Sequence, residues 1–305
     1  MRALGFDTSN YTTSAAWFDG TQGHNVGKLL KVKPGALGLR QSEALFQHVK
    51  TLPEIVARMM DAWAADTPDA IGASTRPRAV EGSYMPCFLA GESQAKTISK
   101  LLQVPFYEFS HQQGHLAAVL WSAGRMELLD KPMLAWHLSG GTTELLYVEP
   151  GLKARKIGGT TDLSAGQLID RTGLLLGLTF PAGKTLDSLA ADMAAKPFPV
   201  KVRDMTFSLS GMENKVRQMR DSGASDGETA AFALQSVIHA VETATKQALC
   251  QYGDLPVIFT GGVSSNTLLR KEMEPLGGII GAPEYSTDNA MGIAVLTYIM
   301  EKQHG

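Results

Sequence analysis

Two segments of this chain are built alike, and their repetition limits what it can fold into. "RALGFDTSNYTTSAAWFD" (residues 2–19) and "PMLAWHLSGGTTELLYVEP" (132–150) each place two short apolar runs about a turn of small polar residues. Apolar runs bounded by such turn-formers read as β-hairpins. After each hairpin, helical and strand patterns alternate. "SEALFQHVKTLPEIVARMMDAW" carries Leu45, Val49, Leu52, Val56 and Met59 at helical spacing, "DAIGAST" reads as a buried strand, "LAGESQAKTISKLLQ" as a helix and "VPFYEF" as a strand. The second half repeats the plan. Its helices are "SAGQLIDRTGLLLG", "KTLDSLAADMAA" and a long one with Leu234, Ile238, Val241, Thr245 and Ala248 on one stripe; the strand–turn–helix "LPVIFTGGVSSNTLLRKEM" and a last helix, "DNAMGIAVLTYIMEK", follow. Alternation of this kind specifies an α/β protein with mixed sheets. With 305 residues, it predicts two lobes: 1–108, completed by the helix 289–305, and 109–288.

Composition narrows the functional classes. The chain is 44% hydrophobic and 19% charged, an ordinary water-soluble balance. Its apolar runs fall short of the ~18 residues of a membrane span. "MRALGFDTSNYTTS" lacks the apolar stretch of a signal peptide. Cys87 and Cys250 lie far apart in different element types, so a reducing, cytoplasmic setting without disulfides is expected. Net charge is −2, so a nucleic-acid partner would need locally concentrated cations. Residues 196–220, with Lys196, Lys201, Arg203, Lys215, Arg217 and Arg220, are the most basic stretch, and Arg76 and Arg78 are further candidates.

Three turns, "DTSNYTTS" (7–14), "LSGGTTE" (138–144) and "FTGGVSSN" (259–266), each follow an apolar strand. Their small residues let backbone N–H groups face an anion, although tight turns use the same residues everywhere. Neither G-x-G-x-x-G after the first strand nor G-x-x-x-x-G-K-[ST] is present, so the plan is neither Rossmann nor P-loop. Two phosphate-side hairpin turns with a third glycine turn for adenosine is the plan of the actin-like ATPase and sugar-kinase superfamily, with duplicated mixed-sheet lobes and a central cleft.

In "FYEFSHQQGHLAAVLW" (106–121), His111 and His115 sit four apart at the start of a helical pattern. Positions i and i+4 share a helix face, so the two imidazoles can grip one ion or stand as two surface histidines. A zincin reads H-E-x-x-H, with the Glu activating water. Here Gln112 and Gln113 stand between the histidines, and glutamine is no base, so a metalloprotease is disfavoured.

"FSHQQGHLAA", "LSGGTTELL", "AGQLIDRTGLLLGLTFPAG", "FSLSGMENKV", "FTGGVSSNTLLR" and "STDNAMGIA" occur in the order and approximate spacing of the TsaD family, the glycoprotease or O-sialoglycoprotein endopeptidase-like proteins. The chain resembles that family over nearly its whole length, as a divergent paralogue. The resemblance implies an actin-like fold, a bound iron or zinc ion, and transfer of a threonylcarbamoyl group from threonylcarbamoyl-adenylate to a tRNA adenosine. His111, His115 and Asp288 match the metal ligands. Leu138, Ser139, Gly140, Gly141 and Thr142 match the turn that contacts phosphate and carbamoyl groups, with Ser139 and Thr142 nearest the chemistry. Asp170 matches a ligand-holding aspartate and Gly183 a glycine of close backbone approach. Asp187 matches an acidic position suited to the ribose, and Asn266 the adenine-side asparagine. The implied partners are tRNA and other proteins of the tRNA-modifying complex, or a second copy of the chain.

The chain departs from the family pattern in three places. The first turn usually reads Thr-Ser-Cys-Asp-Glu-Thr-Ser and here reads Thr8-Ser9-Asn10-Tyr11-Thr12-Thr13-Ser14, without the carboxylates. Ser-Gly-Gly-His-Thr is here Ser139-Gly140-Gly141-Thr142-Thr143, and a Gly-Pro-Gly turn is here Arg76-Pro77-Arg78. Two other readings therefore stay open: a carbamoyl transferase acting on a small molecule, and a non-catalytic scaffold of the tRNA-modifying complex.

Overall fold

The computed structural model describes residues 1–9, 11–32, 39–62, 67–193, 199–287 and 289–304. Asn10, Lys196 and the expected metal ligand Asp288 lie outside these residues. The described chain forms two units, Met1–Leu129 with Thr287–Gly305, and Asp130–Ser286.

The first unit contains β1 (Ala3–Asp7), β2 (Thr12–Phe18), β3 (Gly23–Leu29), α1 (Gln41–Asp61), β4 (Ala70–Arg76), α2 (Leu89–Leu102), β5 (Phe106–Ser110) and α3 (His111–Ser122). The second contains β6 (Met133–Leu138), β7 (Thr143–Glu149), β8 (Lys153–Thr160), α4 (Ala165–Leu175), α5 (Gly183–Ala190), β9 (Val202–Arg203), β10 (Thr206–Phe207), α6 (Ser210–Asp221), α7 (Asp226–Tyr252), β11 (Val257–Thr260), α8 (Thr267–Met273) and β12 (Gly278–Ile280). The last helix, α9 (Met291–His304), belongs to the first unit.

One topology occurs twice. The first sheet runs β3-β2-β1-β4-β5, and the second contains β8-β7-β6-β11-β12, extended past β8 by β10 and β9. In each, three strands form an antiparallel meander, and two more lie parallel to the first strand of the hairpin. Parallel neighbours point their carboxyl ends the same way. In each sheet, the end of the first hairpin strand and the ends of its parallel neighbours therefore form one edge, the usual place for ligands in open α/β sheets. Asp7, Arg76 and Ser110 close three strands at that edge of the first sheet; Leu138 and Thr260 close two at that edge of the second.

Alternation along β1 fixes what covers the first sheet. Leu4 and Phe6 join Leu52, Ile55, Met59 and Ile71 in an apolar cluster on the α1 side. Gly5, pointing the other way, lets α9 approach so closely that a Cβ there would lie 2.4 Å from Ala294 N. In the second unit, Trp136, Leu145, Phe207, Val241 and Phe259 share one core, and Trp136 Nε1 donates to Thr245 Oγ1 at 2.8 Å.

Two expectations change. The histidine helix α3 was expected in the second lobe but belongs to the first unit, whose boundary falls after Leu129. The reason is a glycine crossing: a Cβ on Gly292 of α9 would sit 1.8 Å from Gly114 O, so α3 and α9 touch backbone to backbone. The buried face of α1 is Ala44, His48, Leu52, Ile55 and Met59, one residue out of phase with the expected stripe at three positions. Val49 is 53% exposed.

Candidate metal centre and nucleotide-binding turns

α3 starts immediately where β5 stops. Ser110 caps it, accepting from Gln113 N at 3.2 Å, while Gln113 Oε1 accepts from Ser110 N at 2.9 Å. This reciprocal box fixes the first helical turn and explains the second glutamine of His-Gln-Gln-Gly-His. The Gln112 amide donates to Pro77 O at 3.1 Å, tying the Arg76-Pro77-Arg78 turn to the same helix end.

With the helix so held, His111 and His115 face each other, their Nε2 atoms 2.9 Å apart. Both are largely buried: the side chain of His111 is 15% exposed, and His115 is 4% exposed as a residue. His111 Nδ1 lies 2.8 Å from Asp7 Oδ2 and 2.8 Å from Ser9 Oγ. Ser9 also donates from its backbone N to Asp7 Oδ1 at 2.8 Å, and from its hydroxyl to the same oxygen. Burial pushes the Asp7 carboxyl up, but the charge of His111 and the hydrogen bonds from His111 and Ser9 outweigh it and hold it below the ordinary range.

The donor set fits a divalent transition metal. Two imidazole nitrogens 2.9 Å apart have a spacing open to ligands of one ion at bonds of about 2.0–2.1 Å. Imidazole suits zinc and iron alike. Among the described residues no group of three His, Cys, Asp or Glu forms a complete metal site; the expected third ligand, Asp288, is outside them.

In the second unit the β6–β7 turn is drawn tight by Ser139 N donating to Thr142 O at 2.8 Å and Thr142 N donating to Ser139 Oγ at 3.1 Å. These bonds use the outer amides of the turn. The amides of Gly140 and Gly141 have no hydrogen-bond partner among the described residues, and a Cβ on either glycine would meet nothing within 4 Å. Two adjacent free amides at an open turn suit an anion. α4 is seated directly behind them. Ser164 Oγ donates to Gly140 O at 2.7 Å, Ala165 N to Thr143 Oγ1 at 2.7 Å, and Gly166 N to Ser139 O at 3.2 Å. Leu138 is buried, and its carbonyl receives the third turn so closely that a Cβ on Gly261, at φ +89°, would lie 2.2 Å from Leu138 O. The second and third turns are thus neighbours at one sheet edge.

Asp170, on α4, accepts from Ala182 N at 2.9 Å, just ahead of Gly183 at the start of α5. Burial pushes its carboxyl above the ordinary value, and the single bond from Ala182 offsets this only in part. A Cβ on Gly183 would meet only Ile169 Cγ2, at 3.9 Å, so its approach side is open. Asp187 and Asn266 are brought together: Asn266 Nδ2 donates to Asp187 Oδ1 at 2.8 Å, and Thr267 N to Asp187 Oδ2 at 2.9 Å. Asn266 also caps α8, accepting from Leu269 N.

The expected nucleotide residues therefore share one unit and one chain of contacts. Asp7, Ser9 and Thr143 fall in the turns 7–14 and 138–144, but no side-chain role for them or for Ser164 is legible in the sequence. The signal for Asp7 was its place as the last residue of an apolar strand. In α6, Arg217 lies 2.9 Å from Glu213, which Arg171 of α4 also meets at 2.9 Å, and Arg220 lies 2.7 Å from Asp226. No helix among the described residues is long and apolar enough to cross a membrane.

Residues 33–295 match the family model for tRNA N6-adenosine threonylcarbamoyltransferase, TsaD. A protein of that name from Thermus thermophilus is 31% identical over 308 residues, covering 98% of this chain and 92% of the relative. One from Syntrophobacter fumaroxidans is 32% identical over 261 residues, covering 78% and 74%. Among solved structures, HypF of T. kodakarensis superposes with a TM-score of 0.64 at 15% identity, over 99% of this chain and 48% of that one. Component A of the (R)-2-hydroxyglutaryl-CoA dehydratase of Acidaminococcus fermentans gives 0.61 at 14% identity, over 99% of both. A ROK family protein of Streptococcus pneumoniae gives 0.51 at 13% identity, over 99% of this chain and all of that one. These neighbours bear out the actin-like fold.

Proposed function

The chain belongs to the TsaD family of tRNA N6-adenosine threonylcarbamoyltransferases, and from that premise we propose that it transfers a threonylcarbamoyl group from threonylcarbamoyl-adenylate to a tRNA adenosine. In this reading one iron or zinc ion is held by His111, His115 and Asp288. The observation that carries the reading is the buried imidazole pair, with Nε2 atoms 2.9 Å apart and Nδ1 of His111 tied back to Asp7. That arrangement exceeds the needs of a helix that only packs.

When bound, the ion supplies Lewis-acid polarisation of the acyl carbonyl. The chain's residues do the rest. The free amides of Gly140 and Gly141 and the hydroxyl of Ser139 donate to the adenylate phosphate. Thr142 completes the turn beside the carbamoyl group. Asp170 and Gly183 border the ligand, and the Asp187–Asn266 pair takes the adenosine end; Asp187 Oδ1 accepts from Asn266 and the Thr267 hydroxyl and Oδ2 from Thr267 N, which leaves one lone-pair site, on Oδ2, for a ribose hydroxyl. In the reaction the adenosine amine bonds to the carbonyl carbon, the bond from that carbon to the phosphate oxygen breaks and AMP leaves, and the amine proton passes to the departing phosphate or to water. AMP is a stable anion, so little acid catalysis is required of the protein. This accommodates Asn10, Tyr11 and Thr12 in place of the family's first-turn residues.

The net charge of −2 favours a second reading, a small-molecule acceptor, because a phosphate-binding face needs locally concentrated cations. The two are separated by following AMP release from the adenylate with metal-loaded protein, adding unmodified tRNA to one mixture and small amines to another. Release that depends on tRNA supports the first reading. Release with amines and none with tRNA, even after the proteins of the tRNA-modifying complex are added, replaces it with the second.

A further inference from the structure

We infer that Asp7 is a positioning residue for the metal centre: its carboxylate holds His111 in the Nδ1–H tautomer and so aims the Nε2 lone pair at the point that His115 Nε2 also faces. The inference rests on the metal reading above and adds to it a residue outside the expected ligand set.

Asp7 ends β1 and is 1% exposed. A buried carboxylate needs donors, and Asp7 has them on both oxygens. Oδ1 takes the backbone N–H of Ser9 and its hydroxyl. Oδ2 lies 2.8 Å from His111 Nδ1. A carboxylate can only accept, so the imidazole proton belongs on Nδ1. Nε2 is then the unprotonated nitrogen, the form that binds a metal. The two Ser9 bonds fix the carboxylate plane, and the Ser9 hydroxyl oxygen, 2.8 Å from Nδ1, shares the same proton. Ring rotation is further limited by Phe88, whose ring meets that of His111 edge-on at a centroid distance of 6.3 Å. The arrangement matches the carboxylate–histidine–metal relay, in which the outer partner sets tautomer and basicity. Asp7 does not face the ion itself, because the nitrogen it holds is on the other side of the ring.

The test uses the full chain, Asp7→Asn and Ser9→Ala, titrated with Co²⁺ and followed by its visible absorption. Thermal unfolding checks each fold, and nitrogen NMR of the metal-free proteins reads the His111 tautomer. Wild type is expected to show Nδ1–H before any metal is added. Asp7→Asn is expected to bind Co²⁺ about 10–100-fold more weakly. Ser9→Ala, which leaves the carboxylate on Nδ1, is expected to lose less. Equal Co²⁺ affinity in wild type and Asp7→Asn overturns the inference, as does a wild-type His111 protonated on Nε2. A wild type that shows the Nδ1–H tautomer but binds no Co²⁺ counts against the metal reading and leaves the orienting role of Asp7 in place.

Discussion

Asp170 is a carboxyl that the fold makes uncomfortable: burial raises its pKa above the ordinary value of 3.8, and one backbone amide offsets only part of that. A raised aspartate pKa contributes stability fully present below the unfolded value and lost as pH rises through the folded one. Asp170→Asn keeps an acceptor for Ala182 N and removes the half-buried charge. It is therefore expected to unfold at a higher temperature than wild type at neutral pH, with the difference vanishing as pH falls below about 3.8, and to lose adenylate affinity by calorimetry. Higher stability with lower binding marks a residue kept for function. The histidines were visible as residue types at a telling spacing, whereas Asp170 stood out only through the family resemblance, its residue type alone being that of a solvated helix face. Asp7 was not visible, because its role depends on β1 and β5 ending at one sheet edge although they lie about a hundred residues apart. The free amides of Gly140 and Gly141 were legible only as composition; that the turn spends its other two amides internally required the geometry.

The hairpins, the long helix α7 and the strand–turn–helix at β11 were legible because each combines a clear period with a turn signal. The edge strands were not. β3 reads Gly-His-Asn-Val-Gly-Lys-Leu with one buried residue, and β9 and β10 are two residues each, so no alternation shows. In α1 the period was right and the phase wrong, since the apolar Leu45 and Val49 outweighed Ala44 and His48, and the stripe they set then ran through Val56 rather than the equally apolar Ile55. The corrected phase predicts that Leu52→Ala costs about 2–5 kcal/mol in urea unfolding, whereas Val49→Ala costs under about 0.5 kcal/mol. Comparable losses would return Val49 to the core. The contact between α3 and α9 carries a sharper expectation. Gly292→Ala sets a methyl into the Gly114 carbonyl, backbone against backbone. It is expected to destabilise by about 1–3 kcal/mol or more and to weaken Co²⁺ binding, since the helix bearing both histidines must shift.

At the scale of the whole molecule the duplication was readable, two hairpin-led halves on one plan, and the two sheets share one strand order. The boundary between the units was not readable, because the glycine crossing that assigns α3 to the first unit joins residues nearly 180 apart. Net charge of −2 leaves the tRNA reading most dependent on chemistry rather than on a basic face. The measurement that tests it most directly is mass spectrometry of nucleosides from unmodified tRNA incubated with threonylcarbamoyl-adenylate, metal and the proteins of the tRNA-modifying complex. Wild-type chain and His115→Ala would be assayed in parallel. Threonylcarbamoyladenosine is expected with wild type, and at least about a tenfold loss with His115→Ala, because two remaining protein ligands rarely hold a catalytic ion. TRNA left unmodified by wild-type protein that binds the adenylate, or modified equally by His115→Ala, would contradict this expectation.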